Sequence, residues 1–380
     1  MDDSLMNRLP AISDLERRAK RRIPRFAWVY LESGTGGDQA RDHNIDAMQE
    51  VRFRPQFMKG LIEPSISTTL FGIEYSAPIG IAPIGLTGLI WPGADGSLAR
   101  TAARNRIPYV LSTVATAAPE TAGPLAEGMG WFQLYPPRKD EFRTDLIDRA
   151  AEAGFTTLVI TADVPAPSRR ERQRKAQIRV PPIIGPRLIA QAAVRPHWSR
   201  GVLREGLPRF RVLERYLDET TLANAAGFVG ANLGGTLSWD YLDAVRSQWK
   251  GPIIVKGILD PDDAARCIAH GVDGVWVSNH GGRQLDGAIA SIDALPSIVE
   301  KLDGAVPVLF DSGIRDGLDI ARALALGADF CFAGRPFLFG LGALGDLGAE
   351  HALNILSEGL ELTMHQIGVT ELSEIASRLA

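Results

Sequence analysis

Cysteine is scarce: Cys267 and Cys331 are the only two in 380 residues. That excludes a disulfide framework and a zinc site built from four cysteines. A chain this long buries enough core without covalent staples. Both thiols are expected to be buried in a reducing compartment, the cytoplasm. There is no surplus of positive charge. The formal net charge is −4, which argues against nucleic acid as a partner of the whole molecule. Long apolar runs are also missing. A charge-free stretch of 20 residues, Tyr75 to Ala94, holds three prolines and four glycines and cannot form a spanning helix. The N-terminal Met-Asp-Asp-Ser-Leu has no basic segment leading into an apolar one, so no secretory signal is expected. The chain should therefore be soluble, or attached to a membrane only at its surface.

What is present has a clear rhythm. Hydrophobic residues make up 45% and charged residues 23%, an ordinary globular balance. After Gly72, short β-branched runs alternate with longer stretches of helical Ala/Leu spacing. Eight candidate strands begin near Ala77, Ile107, Trp131, Thr157, Pro252, Asp273, Val306 and Asp329. Their starts lie 21 to 33 residues apart, except for one interval of 95 between the fourth and fifth. Each short interval suits one strand plus one helix of a parallel sheet. Helix signals agree: Asp260-Pro261 and Asp316-Gly317 are N-terminal caps, and residues 140–153 have helical spacing before Gly154. Eight such units predict a (β/α)8 TIM barrel, with an open doubly wound sheet as the alternative. The expected organisation is one domain over 1–380. An N-terminal segment, 1–70, holds a helix from Ser13 to Ile23 and then the loop SGTGGDQ. A barrel follows over 71–380, with an insertion over 164–235 after the fourth strand.

In such barrels the site lies at the C-terminal ends of the strands. Those ends are polar here: Gln133 and Tyr135; Thr161 and Asp163; Lys256; Ser278, His280 and Arg283; Asp311 to Arg315; Gly334 and Arg335. The last two groups occupy the usual phosphate position, where Ser312, Gly313 and Gly334 free the backbone and Arg315 and Arg335 donate. His280 shares a rim with Asp163, which could orient the ring and stabilise its protonated form. Arg283 and Arg170 suit a carboxylate clamp. Lys256 could form a Schiff base or place a fixed charge against a cofactor. A flavin-free lyase and a catalytically silent scaffold both remain open on these residues alone. No metal-ligand cluster is apparent.

The run SNHGGRQLD at 278–286 resembles the active-site signature of the FMN-dependent 2-hydroxy-acid dehydrogenases and oxidases. RIPRFAWVYLESG (22–34), FQLY, TAD, VKG, FDSGIR and AGR follow the family in order, so the likeness covers nearly the whole chain. GLTGLIWPGADGSLARTAA and RPHWSRGVLREGLP are similar to the (S)-mandelate and membrane-associated L-lactate dehydrogenase branch. The resemblance implies FMN and oxidation of an (S)-2-hydroxy acid to the 2-oxo acid. It implies His280 as general base with Asp163 behind it. Arg283, Arg170 and Tyr30 would hold the substrate carboxylate, and Tyr135 the hydroxyl region. Lys256 would stabilise the reduced cofactor. Pro83, Ile84, Gly85, Ser112, Gln133, Thr161 and Ser278 would contact the flavin, and Asp311, Ser312, Gly313, Ile314, Arg315, Gly334 and Arg335 the ribityl phosphate. A homotetramer is implied as well.

Three positions depart from the family pattern: Val114 replaces a tryptophan, Pro136-Pro137 follow FQLY, and Ala166 to Arg169 precede Arg170. Val114 predicts room for a large, mandelate-like substrate. Gly85, where oxidases of the family carry alanine, predicts an acceptor other than oxygen, with an oxygen-using oxidase as the alternative. Arg169 to Arg215 carries 13 Lys or Arg against 3 Glu. Ile183, Ile184, Leu188, Ile189, Val194, Trp198, Val202, Leu203, Leu207 and Phe210 are interleaved with them. That mixture suits either a cover over the barrel mouth or a segment lying on an anionic membrane. With the resemblance, it predicts a peripheral enzyme on the inner face of the cell membrane that passes electrons to quinone.

Overall fold

The structure, a computed structural model, describes residues 3–176, 178, 185–217, 225–234 and 237–380. An antiparallel hairpin, β1 (Thr68–Leu70) and β2 (Ile73–Tyr75), precedes the barrel and straddles residue 70. Its three-residue strands are too short to register as alternation, so the sequence offered no sign of them. The barrel strands are β3 (Ile79–Ile81), β4 (Tyr109–Ser112), β5 (Gly130–Leu134), β6 (Thr157–Thr161), β7 (Ile253–Ile258), β8 (Gly274–Val277), β9 (Val308–Phe310) and β10 (Phe330–Ala333). Each lies within one of the eight expected segments or overlaps it. All neighbours are parallel, and β10 pairs with β3 (Phe332↔Gly80), which closes the sheet. Closure rules out the open-sheet alternative.

Nearly every strand residue is buried, as both faces of a parallel sheet must be when helices cover the outside. Trp131 on β5, Trp276 on β8 and Phe332 on β10 come from non-adjacent strands. Their rings meet at 4.0 and 5.3 Å between centroids, so they fill the barrel's interior. Phe71, from the hairpin turn, packs against Trp131 at 6.1 Å. Both cysteines are buried and free.

The sequence-marked helices form with their caps. The Asp260 carboxylate accepts from the backbone N–H groups of Asp262 and Asp263, and Asp316 makes a reciprocal capping box with Asp319. Helices also occupy Asp140–Glu152 and Ile12–Arg22. Two further N-terminal helices, Arg25–Glu32 and Gln39–Glu50, flank the loop 33–38. They carry that loop to the C-terminal end of the barrel, where Thr35 N–H donates to Gly282 O at 3.0 Å.

The segment between β6 and β7 contains the helices Pro186–Ala193, Pro196–Glu205 and Ala225–Asn232. Two of its aromatic residues are buried in the protein, as expected of an insertion folded over the barrel, and do not serve the membrane-lying alternative. Trp198 is 3% exposed, donates to Leu89 O at 3.1 Å and meets Phe26 edge to face. Phe210 is buried and lines the barrel's cavity. A tryptophan whose N–H finds a carbonyl is satisfied inside the protein. Ile189, Val194 and Leu203 are exposed, at 56%, 63% and 89%. Ile183 and Ile184 lie outside the described residues. Among the described residues no helix is long and apolar enough to cross a membrane.

Candidate active site

A cavity of about 540 Å³ opens at the C-terminal ends of the strands. Of the residues singled out in the sequence, Tyr30, Pro83 to Gly85, Gln133, Tyr135, Thr161, Arg170, Lys256, His280, Arg283, Asp311 to Arg315, Gly334 and Arg335 line it. Ser112, Asp163 and Ser278 stand behind the wall and act through neighbours. Ser112 Oγ donates to Gln133 Oε1 at 2.8 Å, and Gln133 Nε2 donates to Thr161 Oγ1 at 2.9 Å. This chain crosses β4, β5 and β6 and fixes the amide's orientation.

His280 follows β8 on a loop where backbone strain is concentrated. Its φ is +59°, and Ser312, opposite, has φ +84°. Non-glycine residues hold such conformations only where surrounding contacts over-determine them. Those contacts are present. His280 N–H donates to Ser278 Oγ at 3.0 Å, and Gly281 N–H to Ser312 Oγ at 3.0 Å. Asn279 and Asn44 exchange amide hydrogen bonds of 2.8 Å each, which pins the loop to the helix Gln39–Glu50.

The ring of His280 is equally constrained. Nδ1 faces Asp163 Oδ1 at 2.9 Å, and Nε2 lies 3.3 Å from Tyr135 Oη. The Asp163 partner assigns the proton to Nδ1 and leaves the Nε2 lone pair toward the cavity. Burial pushes His280 below its ordinary value, and the positive Lys256 and Arg170 add to this; Asp163 opposes without overcoming it. The ring is therefore neutral at pH 7. Burial alone would raise Asp163, but His280 and Lys256 outweigh it and hold the carboxyl below the usual range. Asp163 reaches this position because β7 has a bulge at Gly257 (φ +99°), where a Cβ would fall 2.6 Å from the Asp163 side chain.

Lys256 is buried at the cavity's floor. Its Nζ sits 3.0 Å from Asp311 Oδ2, donates to Ser278 Oγ at 2.6 Å, and lies 5.2 Å from the Trp276 ring centre. Its Nζ is committed to Asp311 and Ser278 rather than free to attack a carbonyl in the cavity, which argues against the lyase alternative. Among the described residues Arg283 has no carboxylate partner. It donates to the carbonyls of Tyr30 and Ser33 and stacks on the Tyr30 ring at 5.1 Å. Burial and the neighbouring Arg170 push it down to about 10. Arg170 is held by Thr35 and Ser168 at 3.2 and 3.0 Å, likewise without a carboxylate among the described residues. Tyr30 Oη donates to Gly85 O at 2.9 Å.

Several contributors were invisible in the sequence. Ser33 acts through its carbonyl, which accepts from both Arg283 and Arg335. Asp286, inside the quoted motif but without an assigned role, accepts from Gly37 and Ala40 N–H at 2.7 and 3.0 Å and fixes the 33–38 loop. Arg172 bridges Glu32 and Asp38 and ties that loop to the segment bearing Arg170. Phe210, Val229 and Leu233 wall the cavity from the insertion. An apolar side chain in a basic, low-pattern segment gives no signal of which surface it faces.

Residues 19–380 match the family model described as FMN-dependent dehydrogenase. An L-lactate dehydrogenase from Alcaligenes faecalis is 37% identical over 369 residues, covering 97% of each chain. Among solved structures, the monotopic membrane protein (S)-mandelate dehydrogenase superposes with a TM-score of 0.91 at 34% identity, covering 97% of this chain and 98% of that one. A mandelate oxidase gives 0.82 at 29%, covering 97% of both.

The cavity fits FMN. Arg315 and Arg335 are half-buried guanidiniums with carbonyl partners and no carboxylate among the described residues. Burial pushes both below their ordinary values. Two cations left uncompensated at the N-terminus of the helix Arg335–Leu344 suit a phosphate dianion. Together with the match over nearly the full length, this places the chain in the FMN-dependent dehydrogenase family, as an oxidoreductase with FMN as its cofactor.

Proposed function

We propose that this enzyme oxidises an (S)-2-hydroxy acid to the 2-oxo acid, with His280 as the base. One observation carries the reading: a neutral histidine, its Nε2 aimed into the cavity, stands beside two arginines that have no carboxylate partner among the described residues. Arg283 and Arg170 take the substrate carboxylate, with Tyr30 at its edge. Tyr135 Oη, at hydrogen-bond distance from Nε2, marks where the substrate hydroxyl sits. Nε2 accepts a proton from the substrate, and Asp163 stabilises the imidazolium that results. Pro83, Ile84, Gly85, Gln133, Thr161 and Lys256 hold the flavin ring, braced by Ser112 and Ser278. Asp311, Ser312, Gly313, Ile314, Arg315, Gly334 and Arg335 hold its ribityl phosphate. FMN bound there supplies the two-electron acceptor.

The relatives named for lactate and mandelate support this substrate class. The apolar wall of Val114, Phe210, Val229 and Leu233 supports a side chain larger than methyl. Gly85 supports an acceptor other than oxygen, namely quinone. Membrane attachment is supported by the monotopic neighbour and by exposed Ile189, Val194 and Leu203 beside exposed Arg200 and Arg204. The test is anaerobic mixing with a panel of 2-hydroxy acids while the flavin absorbance is followed. Bleaching by none of them ends the proposal. Rapid turnover with oxygen, or indifference to anionic vesicles in flotation, removes its acceptor or membrane half.

A further inference from the structure

Among the described residues, the cavity's lining carries more positive charge than FMN and a monocarboxylate consume. Arg315 and Arg335 answer a phosphate. Arg283 and Arg170 answer one carboxylate, and Lys256 is paired with Asp311. Among the described residues Asp311 is the one carboxylate in the cavity's lining. Two cations remain there: Arg138 and Arg174. Both are exposed, which places them at the mouth, and neither side chain makes a hydrogen bond or a close ion pair among the described residues, although Arg174 is near enough to Glu171 to help hold that carboxyl below its ordinary range. Their neighbours behave differently. Arg172, Arg143 and Arg149 are each tied to a carboxylate.

Both backbones are anchored rather than loose. Arg138 N–H donates to Asn232 O at 2.9 Å, and Gly234 N–H donates to Pro136 O at 2.9 Å. Pro137 and Leu233 form a bridge between these two bonds. The link runs straight back to Tyr135, whose hydroxyl touches His280. Arg174 follows Arg172 and Gln173, which are clamped to Glu32, Asp38 and Ser33. The same cavity is lined by the apolar side chains of Val114, Val164, Phe210, Val229 and Leu233. A substrate seated on Arg283 and Arg170 shares its cavity with this apolar lining and with two guanidiniums that make no hydrogen bond or close ion pair among the described residues.

We propose that Arg138 and Arg174 form a second anion subsite, and that the preferred substrate is a 2-hydroxy acid with a second carboxylate at its far end. This rests on the 2-hydroxy-acid reading above and narrows it. Planar guanidiniums recognise a carboxylate through paired hydrogen bonds, which a neutral substrate end cannot supply.

The experiment uses the FMN-loaded full chain. Flavin reduction is measured anaerobically with matched pairs: 2-hydroxyglutarate against 2-hydroxypentanoate, and 4-carboxymandelate against mandelate, at two salt concentrations. The corresponding 2-oxo acids are titrated against the oxidised flavin spectrum as a binding readout independent of turnover. The expected result is a preference for the dicarboxylate in at least one pair of about tenfold or more in apparent affinity, the scale of a hydrogen bond to a charged group. In R138Q/R174Q the ratio should fall to near one, while Arg174→Lys retains part of it; FMN content of each variant reports folding. Equal affinity within both pairs overturns the proposal. So does a preference that R138Q/R174Q keeps, or one abolished by salt alone, which marks long-range steering. Failure of every 2-hydroxy acid to bleach the flavin would sink the parent reading instead.

Discussion

Replacing Asp163 by Asn tests the acid–base assignment without touching the cavity wall. The amide keeps the shape of the carboxyl but removes the negative charge 2.9 Å from His280 Nδ1. An opposite charge this close shifts a partner's pKa by about 1–3 units. At an effective dielectric near 20, the attraction at about 4 Å is worth about 4 kcal/mol. The imidazolium formed on proton acceptance loses most of that, so flavin reduction should slow by about 10²- to 10³-fold at about 1.4 kcal/mol per decade. The pH profile separates causes. Burial already holds His280 below 6.5. The reduction rate should rise with pH through a value below the ordinary histidine range and be flat by pH 7. Without Asp163, burial, Lys256 and Arg170 act unopposed, so that limb moves to lower pH. The ring stays neutral at pH 7, and the loss reports a weaker base rather than a wrongly protonated one. His280→Ala should also cost about 10²-fold or more, and adding Asp163→Asn to it should cost little further, because the two act as a unit. Stopped-flow reduction across pH, with FMN content as control, reads all of this. A variant that reduces its flavin at near-normal rate, or a double variant in which the two losses multiply, would refute the pairing.

Arg283→Lys should raise the apparent dissociation constant for substrate by about tenfold or more, since a point charge cannot replace the planar fork; FMN retention should be unchanged by absorbance. Arg335→Met should weaken FMN binding by about 10- to 100-fold in equilibrium dialysis, the scale of one charged hydrogen bond to phosphate. Gly85→Ala would put a Cβ 2.6 Å from Val114 Cγ2, an overpacking worth about 1–3 kcal/mol; thermal melting should show the loss and its recovery in G85A/V114A. His280 also bears on stability. The folded state keeps it neutral while the unfolded chain protonates it near 6.5. Its contribution is therefore complete above that pH and shrinks as pH falls toward the folded value, where H280A should lose less stability than the parent in denaturant titrations.

The parts of the site that could be read in advance share one property. Each is a polar side chain at the end of an apolar strand, and in a closed parallel barrel all such ends converge on one face. Gln133, Thr161, Lys256, His280 and Arg335 needed only the strand count to be placed together, and the helix caps at Asp260 and Asp316 supported that count. The contributions that escaped reading are of two other kinds. The Ser33 carbonyl, which holds Arg283 and Arg335, is a backbone atom that any residue at that position supplies. Its role is set by where the helices Arg25–Glu32 and Gln39–Glu50 deliver the loop, which is a tertiary fact. The insertion is the second kind. There the mixture of arginines with apolar residues was legible, but not the direction in which each side chain points. Trp198 and Ile189 sit in one segment of similar composition, yet Trp198 donates to Leu89 inside the protein while Ile189 stands in solvent. Composition measures how much apolar surface a segment owns. Only packing decides which part is spent on the fold and which is left for a membrane, a substrate or a partner. Arg138 shows the same division. It follows a Pro-Pro pair that marked a changed wall, but only the bridge to Leu233 brings that wall, with a guanidinium unpaired among the described residues, to the mouth of the cavity.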